Sequence, residues 1–484
     1  MSKQRTPKQS ELNKAHWFST DLFVESKHLA LAAERLLERL YQHSQPQRKH
    51  PARHLPQLEI LILNLLKASG NPLGLISISM SSGHYSGTGR VSYRVLIEHH
   101  VNTLLKLKWL KVHHKGSEHN RAYRTRLQLM KPMLAWLKLV FIPTEQIDAK
   151  APQLVLTLKN AEKTKIEIPQ ELTENAKQLS AGASKINDLL EKTFIDLFLD
   201  EYELEDLQIR MSEKAQKDPF AHAHLDLTRK YLRRIFNNGS LEQGGRFYDG
   251  WWQSIPSEYR QYIALNGDYV VELDYSSIHI HLLYAQIQQT CHMEDHYVFG
   301  KLSREWRPVT KKMVNILINA RSRESAVRAA TDQGLFDNGF PEGIADINEY
   351  IDEIYFHHDD IVTFFGTGYG VKLQFLDSQI AEAVMLRMLP EPCLPVHDSF
   401  IVRSGQEQKL EEAMNEEFQA ATGVEAGIKT TVLELSSARK TLVKDLIEDE
   451  LSSYSSRLCS WRRKYHYRYF TEGGSSDDAP ALKS

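Results

Sequence analysis

Leu394-Pro395-Val396-His397-Asp398-Ser399-Phe400-Ile401-Val402 is the stretch on which the reading of this chain turns. Apolar residues run up to His397-Asp398 and away again, the pattern of two buried strands joined by a bend that carries one carboxylate to a surface. A second strand of the same kind lies upstream, Tyr269-Val270-Val271-Glu272-Leu273-Asp274-Tyr275-Ser276, with Asp274 at its end. If the two strands are neighbours, their carboxylates converge, repel each other and need divalent cations between them. Such a pair suits two-metal phosphoryl transfer, in which ions about 3.5–4 Å apart clamp the attacking and leaving oxygens. Oxygen-only ligands favour Mg2+, with Mn2+ as the alternative.

Between the two aspartates runs Arg307-Pro308-Val309-Thr310-Lys311-Lys312-Met313-Val314-Asn315-Ile316-Leu317-Ile318-Asn319. Pro308 suits the first turn of a helix. Arg307, Lys311, Asn315 and Asn319 then fall one turn apart on one face. Two cations a turn apart make a clamp for a triphosphate, whereas an ordinary solvated helix mixes glutamates into such positions. Other ligand clusters fail on spacing. His357-His358-Asp359-Asp360 would point around a helix cylinder, and Cys291-His292 with His296 offers too few partners for zinc.

The chain has 484 residues, 25% charged and 42% hydrophobic, enough to bury a sizeable core in two or more domains. Its three cysteines have no C-x-x-C spacing, which argues against a disulfide framework and fits a reducing, cytoplasmic setting. No apolar run approaches the roughly 18 residues of a membrane span, so no membrane partner is expected. The net charge of −2 hides local polarity: Glu98 to Lys131 holds eight Lys/Arg against two Glu, and Arg457 to Arg468 holds five basic residues and no acid. Phosphate binding needs local positive charge, so these stripes read as nucleic-acid contact points or as solvated faces.

Along the chain, residues 1–50 read as a polar N-terminal arm. A module over 51–144 follows: a helix opened by Pro56, a second N-capped by Ser92, then a basic hairpin with its tip at Gly116 to Asn120. Helix, helix, basic hairpin is the order of a winged helix, with Tyr93, Arg94 and His99 on the exposed side of the recognition helix and Arg124 and Arg126 arming the wing. Residues 145–235 begin with a short hairpin, Leu154 to Leu158 and Lys163 to Ile168, and continue into helices around Ile186 to Leu199. Residues 236–440 carry the motifs above, and 441–484 form a basic-aromatic extension, Trp461 to Arg468, with a Gly/Ser/Asp tail expected to be disordered.

The order Gly244-Gly245-Arg246-Phe247-Tyr248 with Gln253-Ser254-Ile255-Pro256, then Glu272-Leu273-Asp274-Tyr275-Ser276-Ser277-Ile278, then Arg307-Pro308-Val309-Thr310-Lys311-Lys312, then Pro395-Val396-His397-Asp398-Ser399-Phe400 resembles the right-hand polymerases. These include the DNA polymerase I-like enzymes and the phage-type single-subunit RNA polymerases. Leu376 to Ala383 is similar to the family's template-side helix, and the likeness covers roughly Arg234 to Arg403.

The resemblance implies an α+β right hand, with an antiparallel palm sheet over 236–440, small fingers over about 300–365 and a thumb over 145–235. It implies that Asp274, Asp398 and the Tyr275 carbonyl hold two Mg2+ ions, and that Arg307 and Lys311 hold the incoming nucleoside triphosphate, with Lys311 protonating the departing pyrophosphate. Asn315, Asn319 and His279 would line the nucleotide site. Arg246, Gln253, Gln379 and His397 would meet a template–primer nucleic acid. Two departures matter. Asn319-Ala320 replaces the family's tyrosine and glycine, and His279 stands where DNA-making members carry glutamate, so the choice of sugar stays open with a lean toward deoxynucleotides. A single-subunit RNA polymerase or primer synthase is one alternative, and a DNA-binding replication or regulatory protein with a degenerate palm is another.

Overall fold

A computed structural model describes residues 15–45, 49–71, 73–82, 85, 91–116, 124–144, 147–149, 155–217, 225–291, 293–425, 430–434, 454–455, 457–459 and 461–462. The tip of the basic hairpin beyond Gly116, residues 463–468 of the basic-aromatic run and the Gly/Ser/Asp tail lie outside them. The fold is mixed, with helices set around several small sheets.

The N-terminal part closes its own core. Strands β1 (His16–Trp17) and β2 (Leu22–Phe23) precede α1 (Lys27–Ser44) and α2 (Pro51–Ser69). The stretch expected to be a polar arm thus contains an 18-residue helix, because Leu29, Ala33, Leu36, Leu37 and Leu40 recur at helical spacing and bury one face against α2. Ser26 caps it by accepting from the Leu29 amide. Helix α2 starts at Pro51; Pro56, expected to open it, lies inside. Strand β3 (Leu75–Ile78) leads to a π-helix, Arg94–Val101, continuing as α3 (Asn102–Lys106). The Ser92 carbonyl accepts from Val95 and Leu96 at its start. Strands β4 (Leu110–His114) and β5 (Thr125–Leu129) pair antiparallel, β5 also pairs with β3, and the sheet order is β1-β3-β5-β4. Strand β5 lies between β3 and β4, and its Arg126 is 3% exposed, which corrects the expectation that it arms a wing. Arg124 stacks on Trp17, its guanidinium 4.5 Å from the ring centroid.

Helix α4 (Lys131–Leu137) and β6 (Asp148–Ala149) lead to a second sheet, in which β7 (Leu156–Lys159) pairs with β8 (Lys165–Ile166). Helix α5 (Thr173–Lys192) ends before β9 (Ile195–Leu197), so the region expected to be helical around Ile186 to Leu199 changes to strand in its last third. After α6 (Glu201–Lys217), β10 (Arg233–Phe236) and β11 (Gly244–Tyr248) complete the order β11-β10-β7-β8. Helix α7 (Ser257–Arg260) follows, and β12 (Ile263–Leu265) pairs with β9. Then come β13 (Val270–Tyr275), α8 (Ile278–Gln286), α9 (Arg307–Asn319), α10 (Arg323–Asp332), α11 (Ile347–His357), α12 (Gly370–Met388), β14 (Leu394–Val396), β15 (Ser399–Arg403), α13 (Glu407–Thr422) and β16 (Thr430–Glu434).

The sheet of order β14-β15-β13-β16 sits in the main core. Strand β13 lies between β15 and β16, which explains its near-continuous apolar run: Val270, Val271 and Leu273 are each 1% exposed. Near the C-terminus, Tyr454 packs on Phe194 and Phe198, Arg457 pairs with buried Asp196 at 2.6 Å, and the Trp461 indole donates to the Lys192 carbonyl. The described part of the basic-aromatic extension is thus docked on the body.

Candidate active site

Strand pairing brings the two aspartates together. Asp274 lies opposite Ser399 in the β13–β15 register, and the Tyr275 amide donates to the Asp398 carbonyl at 3.2 Å. Val396 pairs with Ser399, so His397 and Asp398 form a two-residue turn, with φ of 59° at His397. Such a reversal presents Asp398 beside the end of β13. Asp274 and Asp398 are half-buried, and among the described residues neither carboxylate has a hydrogen bond or ion pair. Burial, then the Asp398 charge, pushes the Asp274 carboxyl up to about 7, while Lys311 pulls it back down.

Pairing also explains why the other acid of this strand is ordinary. Glu272 is buried, yet Arg260 donates to both of its oxygens at 2.8 Å and the Ser399 hydroxyl donates at 2.6 Å. Tyr275 turns its ring into the core, where its hydroxyl donates to the Met414 carbonyl.

Helix α9 delivers Lys311 to this corner, and the four positions expected on one face of it are there. Arg307, however, donates to Asp295 at 2.7 Å and lies over the Tyr297 ring. Asn319 donates back to the Asn315 carbonyl. Its side chain occupies the space that a Cβ at Gly370 would need, 2.2 Å from Asn319 Oδ1. The Leu317 and Ala320 carbonyls at this end accept from the amides of Gly366 and Gly368, which fixes the C-terminus of α9 to the loop before α12.

A wall of paired charges stands beside the aspartates. Asp377 on α12 is 2% exposed and accepts from Arg246 on β11 at 2.7 Å. Arg246 also meets the His279 ring at 2.9 Å, with His279 Nε2 3.8 Å from Asp377. The Arg246 charge and the neighbouring His279 ring, opposing the burial, hold the Asp377 carboxyl below the usual range. Gly245 permits this contact: its φ is +83°, and a Cβ there would lie 2.8 Å from Ser378 Oγ and 2.9 Å from the Phe236 ring. One strand earlier, fully buried Arg234 donates to Glu382 at 2.7 Å, to Ser378 at 2.9 Å and to Gln379 at 3.0 Å.

The other residues expected at nucleic acid are placed as follows. Gln253 donates its amide to the Phe247 and Pro395 carbonyls and so ties the turn at Trp251–Gln253 to β14. Gln379 is held by Arg234, and Arg246 by Asp377. His397 is exposed, its ring 5.9 Å from that of Tyr248. In the N-terminal part Arg94 is exposed and Tyr93 half-buried. His99 turns away from that side to pack on His54. Asp377 and Arg234, which build the wall, were missed; the only signal was the acids Asp377 and Glu382 in the stretch Leu376 to Ala383.

No family model matches the chain, and no curated protein matches it at a significant level. Among solved structures, the chain is similar to the POL domain of Pol1 from M. smegmatis in complex with DNA primer-template and dNTP. The identity is 11% and the TM-score 0.26, with 88% of this chain and 69% of that one covered. A superposition this loose fixes no correspondence of side chains. Among the described residues no helix is long and apolar enough to cross a membrane.

Proposed function

We propose that the chain is a template-directed nucleotidyltransferase that extends a nucleic-acid strand from nucleoside triphosphates, with deoxynucleotides as the favoured substrate. The observation that carries this reading is the convergence of Asp274 and Asp398 at the end of one sheet, unpaired, with Lys311 beside them. The donor set fits divalent cations: two carboxylates offering only oxygen, with Asp274 driven up to about 7 by burial and then by the Asp398 charge. Two Mg2+ ions, or Mn2+, held by Asp274, Asp398 and the Tyr275 carbonyl would activate the primer hydroxyl and stabilise the leaving oxygens.

The chain's own residues account for the rest. Lys311 binds the triphosphate and gives a proton to the departing pyrophosphate. Arg307 joins it on exchanging Asp295 for phosphate, and Asn315 and Asn319 continue the same helix face. His279, held by Arg246 and Asp377 at the start of α8, crowds the sugar and disfavours a 2′-hydroxyl. His397 supports the primer end, and Gln379, Arg246, Arg124, Arg94 and Tyr93 belong to the surfaces proposed to follow nucleic acid. The N-terminal part, with its helix pair and the order β3-β5-β4, is proposed as a winged-helix-like recruitment module.

Primer extension with dNTPs and NTPs run in parallel tests this. Mg2+-dependent growth of the primer that Asp274→Asn removes is the expected result. A folded chain that binds primer–template yet adds no nucleotide of either kind would make the palm a scaffold.

A further inference from the structure

The N-terminal part holds a histidine cluster that the proposed polymerase chemistry does not use. His54 on α2 meets His99 and His100 of the π-helix, with ring centroids 4.6 Å and 5.2 Å from His54. One potential ligand nitrogen from each ring lies within 4.8 Å of the others. His54 Nδ1 and His100 Nε2 are 3.1 Å apart. Two nitrogens bound tetrahedrally to one zinc at about 2.0–2.1 Å would be roughly 3.3 Å apart, so this pair already has chelating separation.

The surroundings favour coordination. His99 Nε2 is 3.2 Å from Ser44 Oγ. When that nitrogen donates to the serine, Nδ1 keeps its lone pair, and His99 Nδ1 is buried without a hydrogen-bond partner. A hydrogen bond on the far ring nitrogen is how ligating histidines are commonly oriented. Consecutive residues on an ordinary α-helix diverge around the cylinder. The wider π-turn of Arg94–Val101 lets both rings close on the one from α2.

We propose that His54, His99 and His100 form a binding site for a divalent transition-metal ion of the zinc type, clamping α2 to the π-helix. Imidazole nitrogens select such ions over Mg2+, so the site is distinct from the aspartate pair. Three imidazoles leave one coordination position for water or an added ligand. The clamp would join the helix carrying Tyr93 and Arg94 to the rest of its module.

The test uses the untagged full-length chain, stripped with chelator and titrated with Zn2+ in excess Mg2+. One Zn2+ should bind per chain more tightly than to any other histidines, raising the melting temperature, and Co2+ in its place should show the intense visible bands of four-coordinate cobalt. His54→Gln and His99→Gln should each weaken Zn2+ binding at least about tenfold and abolish those bands, with primer extension unchanged if that activity exists. Equal Zn2+ affinity in either variant would overturn the site. Should the variants not fold, X-ray absorption of the wild-type zinc form decides: a shell of three imidazoles at about 2.0–2.1 Å supports it, and fewer imidazoles refute it.

Discussion

Four carboxylates on and beside one sheet divide into two kinds. Glu272 and Asp377 are deeply buried, and each has an arginine within hydrogen-bonding distance. Asp274 and Asp398 are more exposed and have none. A fold that supplies Arg260 and Arg246 to two acids could neutralise the other two as well, and here it leaves them to repel. Unpaired acids side by side cost stability, so their persistence points to a ligand that supplies the missing charge. Paired acids, by contrast, hold the frame.

The sharpest way to break that contrast is to neutralise one acid of each kind. Asp274→Asn and Asp398→Asn should each lower nucleotide incorporation by at least about 10⁴-fold, about 5.5 kcal/mol of barrier. The melting temperature should stay level or rise, because a repulsion is removed. Near wild-type polymerisation by either variant would end the two-metal assignment. Asp377→Ala should do the reverse in stability, costing about 3–5 kcal/mol by leaving Arg246 buried and unpaired. A denaturant midpoint equal to wild type would show that Asp377 belongs with Asp274 and Asp398.

Acid sharpens the contrast between buried acids and buried bases. Desolvation, with the nearby His296, pushes the His281 ring down to about 4, and desolvation does the same to His358. In the unfolded chain both titrate near 6.5. The contribution of these two rings is therefore complete above about pH 6.5 and is lost as the pH drops toward about 4, by about 3 kcal/mol for each ring, and an Asp274→Asn background removes the opposing shift of Asp274. Thermal melts across that window measure it. A flat profile would mean that the rings are solvated.

Smaller effects probe the nucleotide side. His279→Gly should move the dNTP-over-NTP ratio of kcat/KM toward NTPs by about 1–2 kcal/mol. A wild-type preference for NTPs of about tenfold or more would reverse the lean and make the chain an RNA or primer synthase. Asp295→Asn should lower the triphosphate KM by about two- to fivefold, since it frees Arg307 from a partly exposed pair whose coupling is under about 1 kcal/mol. A raised KM would mean that Asp295 positions Arg307 for the nucleotide.

Much of the aspartate corner was legible. The strands around Asp274 and Asp398 announce themselves because central strands bury both faces, and α9 is bounded by Pro308 and by its own periodicity. What stayed hidden depends on distant partners. Nothing local to Arg246 shows that Asp377 will claim it, or that Pro395 will accept from Gln253. Arg126 alternates like any wing residue, and nothing local to it shows that tertiary packing will bury it. Helix α1 was the avoidable omission, since Leu29, Leu36 and Leu40 carry a plain helical period. The His54 cluster depends on a π-turn, for which the sequence has no periodic signature. Domain boundaries are blurred for the same reason: Tyr231, in the expected thumb, packs into the N-terminal core and donates to Asp21. A truncation after the N-terminal module would uncover it.

The pinned end of α9 has a mechanical consequence. Gly366, Gly368 and Gly370 hold the Asn319 end, while Arg307 at the other end is tied by the partly exposed Asp295. Thirteen residues make a lever of about 18 Å, so a swing of about 20° about the glycine end would carry Arg307 through about 6 Å and Asn319 through almost nothing. Distance probes on Arg304 and Asn319, read with and without triphosphate, would register that unequal travel. The helix would thus work as a boom with its fulcrum in three glycines, sweeping charge across the corner.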